Sequence, residues 1–239
     1  MRWLVPLLLV PVLLGGCGDA RSVVATEAAG PNPTPNPTPA TSPDLTGPLA
    51  GFPLALGYAD TNGNDGSPVA ITTKPATRRF GICGRTVWDP RHGTTDRIGV
   101  EYRGEAEWAR GRTLVLYPGV AAATAAVSAA RTAVAACPDE PDGSSQGTTH
   151  TVADESAGDQ TLVWTDTFYS IVNGRQQHDT GLVVYELVRV GRAVLLGYEY
   201  DEGNGSAESR AQSVARGTRE ARVLADRMKE LPADASSAG

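Results

Sequence analysis

Few side chains in this sequence are equipped for chemistry. There are three histidines and three cysteines. His92, His150 and His178 are scattered, with no pair at i, i+2 or i, i+4, and Cys83 and Cys137 form no Cys-x-x-Cys motif. Neither set has the spacing of a zinc site or a redox centre. Asp154, Glu155 and Asp159 are close together, but the ligand spacing of an EF-hand loop is missing, so they read as a solvated acidic loop. His178 beside Asp179 is a dyad only on paper, because neighbours along an extended chain point apart. No Gly-x-Ser-x-Gly elbow and no glycine-rich phosphate loop occurs. The expectation is therefore no catalytic residue, no metal and no cofactor. Trp108 and Trp164 alternate with apolar residues and read as core. Trp88 differs. It sits in Thr86–Arg91, flanked by Asp89 and Arg91, where an amphipathic ring on a loop suits the wall of a small-ligand site.

Cys17 belongs to a different context. Arg2 is a short positive segment, and Trp3 to Leu14 is an apolar run of about twelve residues, too short to span a bilayer and suited to a secretory signal. Leu14-Gly15-Gly16-Cys17 follows at once and resembles the bacterial lipoprotein cleavage box. The resemblance implies cleavage after residue 16, a diacylglyceryl group on the Cys17 sulfur and a further acyl group such as palmitate on its amine. Two or more chains give stable anchoring, where one is marginal. An ordinary signal with an incidental cysteine is the alternative reading. Export would place the chain on the outer face of the plasma membrane, in an oxidising compartment. There Cys83 and Cys137 favour a structural disulfide over two buried thiols. Closing a loop of about 55 residues stabilises by roughly 4 kcal/mol in the chain-entropy model.

Residues 17–53 carry no apolar period and centre on Pro31-Asn32-Pro33-Thr34-Pro35-Asn36-Pro37-Thr38-Pro39. Proline fixes φ and removes donors, so this stretch reads as a solvated polyproline II spacer reaching ~100 Å. Residues 54–231 are the expected folded domain and 232–239 a tail. The chain has 21 basic and 27 acidic residues, a formal net charge of −6. An acidic balance without a basic patch argues against nucleic acid.

Several elements must position these residues. Arg85–Trp88 reads as a short strand. Arg97–Trp108 alternates apolar and polar as a half-solvated strand, Arg110-Gly111 as a turn and Thr113–Tyr117 as the return strand. Val120–Ala136 is alanine-dense, with Val120, Ala123, Val127, Ala130 and Val134 at helical spacing, and Pro138 ends it. Pro138–Gly158 reads as a polar loop. Gln160–Ser170 is a strand, followed by an Asn173-Gly174 turn signal in a loop reaching Thr180. Leu182–Val190 is almost continuously apolar, as a central strand is, and Ala193–Tyr200 returns beside it. The last helix, about 207–231, buries Val214, Thr218, Ala221, Leu224, Ala225, Met228 and Leu231. The order is (β)ββα–βββα. Gly111–Tyr117 resembles Gly191–Leu196 with Tyr198, which suggests a pseudo-repeat. The predicted class is α+β, an antiparallel sheet with two main helices packed on one face.

Tyr117-Pro118, the alanine-rich helix ending Ala136-Cys137, Gly181 through Val190-Gly191 to Leu196, and the terminal helix are similar to the PknH-like extracellular sensor domains of actinobacteria. The resemblance spans roughly residues 50–231 and implies an α+β domain with a cleft for a small ligand. Two departures stand out: one disulfide pair where the family commonly has two, and Arg192 where it often has asparagine. The leading expectation is a non-catalytic, membrane-anchored sensor-like or ligand-binding domain. The alternatives are an envelope lipoprotein that binds a protein partner without a small ligand, and, further off, an envelope hydrolase.

Overall fold

The computed structural model describes residues 45–73, 79–202 and 206–233. The elements are β1 (Phe80–Ile82), β2 (Arg85–Trp88), β3 (Asp96–Arg103), β4 (Ala109–Leu116), α1 (Val120–Ala136), β5 (Asp139–Asp142), β6 (Gln146–Ala153), β7 (Gln160–Val172), β8 (Arg175–Val190), β9 (Ala193–Asp201) and α2 (Ala207–Met228). Strands β3-β4-β9-β8-β7-β6-β5 form one sheet in that order, and β1-β2 is a separate hairpin. Every pairing is antiparallel. The class is α+β, as the sequence predicts.

The helices, however, lie on opposite faces of the sheet, not on one. Directly paired residues share a face. Leu114, Leu195 and Val188 are aligned across β4, β9 and β8 and pack with Ala221, Leu224 and Met228 of α2. Their chain neighbours Val115, Val194 and Leu187 pack with Ala123, Val127, Ala130 and Val134 of α1. The reason is legible in the composition of the central strands. A strand apolar at nearly every position, as Leu182–Val190 is apart from Glu186 and Arg189, has two faces to cover, so one helix on each side removes both from water. The same parity excludes a structural repeat. Leu114 and Val194 occupy equivalent places in the repeated sequence but point to opposite faces.

Three boundaries differ from the sequence reading. The β3–β4 turn is at residues 104–108, with Ala106 in the left-handed region. Arg110 and Gly111 lie inside β4, because the arginine is a buried charge rather than a solvated turn residue. Residues 139–153 form the hairpin β5–β6 at the sheet edge, where a polar, threonine-rich strand is tolerated because one side faces water. The Asn173-Gly174 turn, with both residues at positive φ, closes β7 onto β8 directly. The domain also begins earlier than residue 54. Leu49 is fully buried and Phe52 nearly so, both in the α2-side core.

α2 is capped by Ser206, whose side chain accepts the Ser209 N–H; its buried stripe gains Ser213 and Gly217 and loses Leu231, which lies past the helix end at Met228 and is only partly buried. Val120 is half exposed rather than facing the core. Arg192 is buried: it donates to the carbonyls of Tyr117 and Pro232 at 3.1 and 3.0 Å, tying the ends of β4 and the chain to the β8–β9 turn. No helix among the described residues is long and apolar enough to cross a membrane.

Candidate functional site

On the α1 side, α1 and the β1–β2 hairpin leave one end of the sheet uncovered. Alternation along β9 places Leu196, Tyr198 and Tyr200 there, and along β8 Val183 and Tyr185. Tyr198 lies opposite both Gly111 and Tyr185. A Cβ at position 111 would run into the Tyr198 ring, so glycine lets that ring lie down across β4. Tyr185 stacks on the buried Trp164 at 4.6 Å and 11°. Phe80 of the hairpin reaches over both, 5.2 Å from Trp164 and 6.3 Å from Tyr185. Phe80, Phe168, Tyr185, Tyr198 and Tyr200 thereby line a cleft of about 540 Å³, together with Arg79. That volume and apolar lining match small-molecule sites. The Tyr198 hydroxyl donates to Glu101 at 3.4 Å.

Trp88, the residue expected in the cleft, is a core residue. It is 2% exposed, its ring packs 6.0 Å from Phe80, and its indole N–H donates to the Tyr117 hydroxyl at 3.1 Å. The charged neighbours that suggested a loop pair with each other: Arg91 closes back onto Asp89, which holds the Asp89 carboxyl well below the usual carboxylate range. Trp164 is fully buried. Trp108 is half-buried on the α2 side, edge-on to Tyr102. Cys17 lies outside the described residues. Cys83 and Cys137 are joined by a disulfide with Cα atoms 6.3 Å apart. The bridge fixes the tip of the β1–β2 hairpin to the end of α1, and Glu140 adds an acceptor for the Gly84 N–H at 3.0 Å.

The polar residues singled out in the sequence separate. Asp159 accepts from Arg189 and the Gly191 N–H in a turn. Glu155 pairs with Arg222 at the surface. His178 and Asp179 do not form a dyad: His178 lies edge-on to the Tyr169 ring, and Asp179 accepts from Ser170. His150, by contrast, gains partners that its sequence neighbours do not reveal. Its Nδ1 lies 2.6 Å from Asp166 and its Nε2 3.3 Å from Glu140. Burial pulls its pKa down, but the two carboxylates outweigh that and raise it. The imidazole ties β5, β6 and β7, with both nitrogens occupied.

A second polar cluster, also missed, lies between the sheet and α2. Arg110 pairs with Glu199 and Glu220, Arg112 with Glu220, and Arg216 with Glu199. Arg112 also donates to the carbonyls of Leu54 and Leu56. Tyr58 lies against both arginines, their guanidinium carbons 4.8 and 4.3 Å from its ring centre. Burial pushes the phenol up to about 12. Glu186 sits among them, between Gly197 of β9 and Gly217 of α2. A Cβ on either glycine would collide with its carboxyl group. Burial, only partly offset by Arg112, pushes Glu186 up to about 8, so it is a neutral acid at pH 7. The space in this cluster, about 20 Å³, is that of a single water, which marks it as a packed network rather than a ligand site.

Compared with known proteins, the chain matches no family model and no curated protein. Among solved structures it is similar to the extracellular domain of PknH from Mycobacterium tuberculosis, at 15% identity and a TM-score of 0.41, over 70% of this chain and 81% of that one. The functional reading below rests on the chain's own site.

Proposed function

We propose that this protein is an extracytoplasmic lipoprotein, anchored through Cys17, whose domain is a non-catalytic, sensor-like module binding a small ligand in the cleft beneath the β1–β2 hairpin. The observation that carries the reading is the cleft itself: about 540 Å³ walled by five aromatic rings on a rigid sheet and a disulfide-tethered hairpin. Half-buried rings of this kind are held open only at some cost in exposed apolar surface, which a ligand would cover. The polar clusters hold groups that in other settings do chemistry. Here each is spent on joining elements, His150 across three strands and the arginine–glutamate network across α2 and the sheet. The second reading, a lipoprotein that docks a protein partner, draws on α1, whose solvent side exposes Ala121, Ala122, Ala125 and Ala129.

The test is a small-molecule screen read by the ring resonances of the cleft. Binding that perturbs Tyr198 and Tyr200, falls at least tenfold in Tyr200→Ala and is unchanged in Trp88→Phe supports the cleft. A ligand whose affinity ignores Tyr200→Ala refutes it.

A further inference from the structure

The cleft has a chemical bias beyond being aromatic. Tyr198 and Ala109 line it and also line an adjoining hollow of about 390 Å³, whose charged walls are Glu101, Arg103 and Glu107. The aromatic floor thus runs directly into an acidic one. Glu101 follows from register: it is paired with Gly111, which is paired with Tyr198, so all three share the open face of the sheet. Glu107 is on the β3–β4 turn beside that face, and Glu202 follows β9 just beyond Tyr200.

Two basic residues are near. Arg103 pairs with Glu101 at 3.7 Å, and Arg79, next to Phe80 at the hairpin, lines the cleft itself. Glu107 and Glu202 have no basic partner among the described residues. Both act on Tyr200, whose phenol is pushed up by burial and then by Glu202 and Glu107. A tyrosine ring flanked by uncompensated carboxylates attracts positive charge through its electron-rich face and through the carboxylates together. It repels an anion for the same reasons. The Tyr198 hydroxyl is spent on Glu101 as a donor, so this end of the cleft offers acceptors and π-faces rather than donors.

On the reading that the cleft is the binding site, we infer that its ligand is an organic cation: an apolar or aromatic body lying over Tyr185, Phe168 and Val183, with an ammonium group seated at Tyr200 between Glu107 and Glu202. Anionic lipids and phosphorylated ligands are selected against at that end, and the acidic rim increases the local concentration of cations before contact.

The experiment titrates the full-length protein with benzyltrimethylammonium, benzyl alcohol and phenylacetate, three aryl probes differing in charge, and follows the tyrosine ring resonances. The expected result is saturable binding of the cation, at least tenfold tighter than either other probe. It should weaken roughly tenfold in Tyr200→Ala and severalfold in Glu107→Gln/Glu202→Gln. That double variant should also lose most of the salt dependence, while folding is checked by an unchanged thermal midpoint. If benzyl alcohol or phenylacetate binds as tightly as the cation and Tyr200→Ala abolishes it, the cleft is the site but the charge selection is wrong. The charge selection is equally wrong if cation affinity is indifferent to the two glutamates. If none of the three perturbs Tyr198 or Tyr200, the cation inference and the cleft reading fall together.

Discussion

Glu186 offers the sharpest test of the structure. Its carboxyl group is wedged between Gly197 and Gly217 with no room for a side chain at either position, it is 6% exposed, and burial raises it from 4.5 to about 8. The folded state therefore holds a proton that the unfolded chain releases near pH 4.5, and stability must fall as pH rises between those values. Each pH unit in that window costs about 1.4 kcal/mol. The loss is about 2–3 kcal/mol between pH 5 and pH 7 and about 5 kcal/mol once pH exceeds 8, where the slope flattens. Glu186→Gln keeps the shape and removes the titration. Urea unfolding at pH 5, 6, 7 and 8, with the disulfide intact, should give a variant close to wild type at pH 5 and progressively more stable than wild type above it. His150, whose raised pKa also favours low pH, titrates in both proteins and cancels in the difference. Parallel pH profiles would refute the argument. So would a Gln variant several kcal/mol less stable at every pH, since that is the signature of an ionised Glu186 whose removal takes a needed negative charge away from the buried arginines Arg110 and Arg112.

Two further outcomes follow. Cys137→Ser should lower unfolding free energy by about 4 kcal/mol in the chain-entropy account, and it should loosen the hairpin that carries Phe80, so probe affinity in the cleft falls with stability; unchanged urea midpoints would show that the bridge constrains little. Cys17→Ala should move the protein from the detergent phase to the aqueous phase on partitioning, and a variant that stays in the detergent phase with its signal removed would exclude acylation as the anchor.

Periodicity reported local structure well where one face decided it. The α1 residues Ala123, Val127, Ala130 and Val134 and the α2 stripe from Val214 to Met228 are buried as their spacing predicts, because a helix repeats every 3.6 residues whatever it packs against. Alternation failed where charge was buried. Arg110 read as a turn residue and Arg112 fell between that turn and the return strand, yet both are inside β4, neutralised by Glu199 and Glu220, the latter from α2. Trp88 failed in the opposite sense. Asp89 and Arg91 suggested a wet loop, but they satisfy each other and leave the ring free to enter the core.

The class, α+β with an antiparallel sheet, and the pairing of Cys83 with Cys137 are legible along the chain, the first from strand and helix periods and the second on the reading that sets Cys17 apart as an acylation site and leaves one pair. That the central strand has two faces to cover was implicit in the almost continuously apolar run of Leu182–Val190, but the placement of one helix on each face was decided by the tertiary structure. The aromatic cleft was not legible. Phe80, Phe168, Tyr185, Tyr198 and Tyr200 come from four strands and meet only because the register of β7, β8 and β9 and the docking of the hairpin align them. The same holds for Glu186 between two glycines and for His150 between two carboxylates. Contacts across a sheet are set by inter-strand register and layer packing, and neither leaves a periodic mark along the chain.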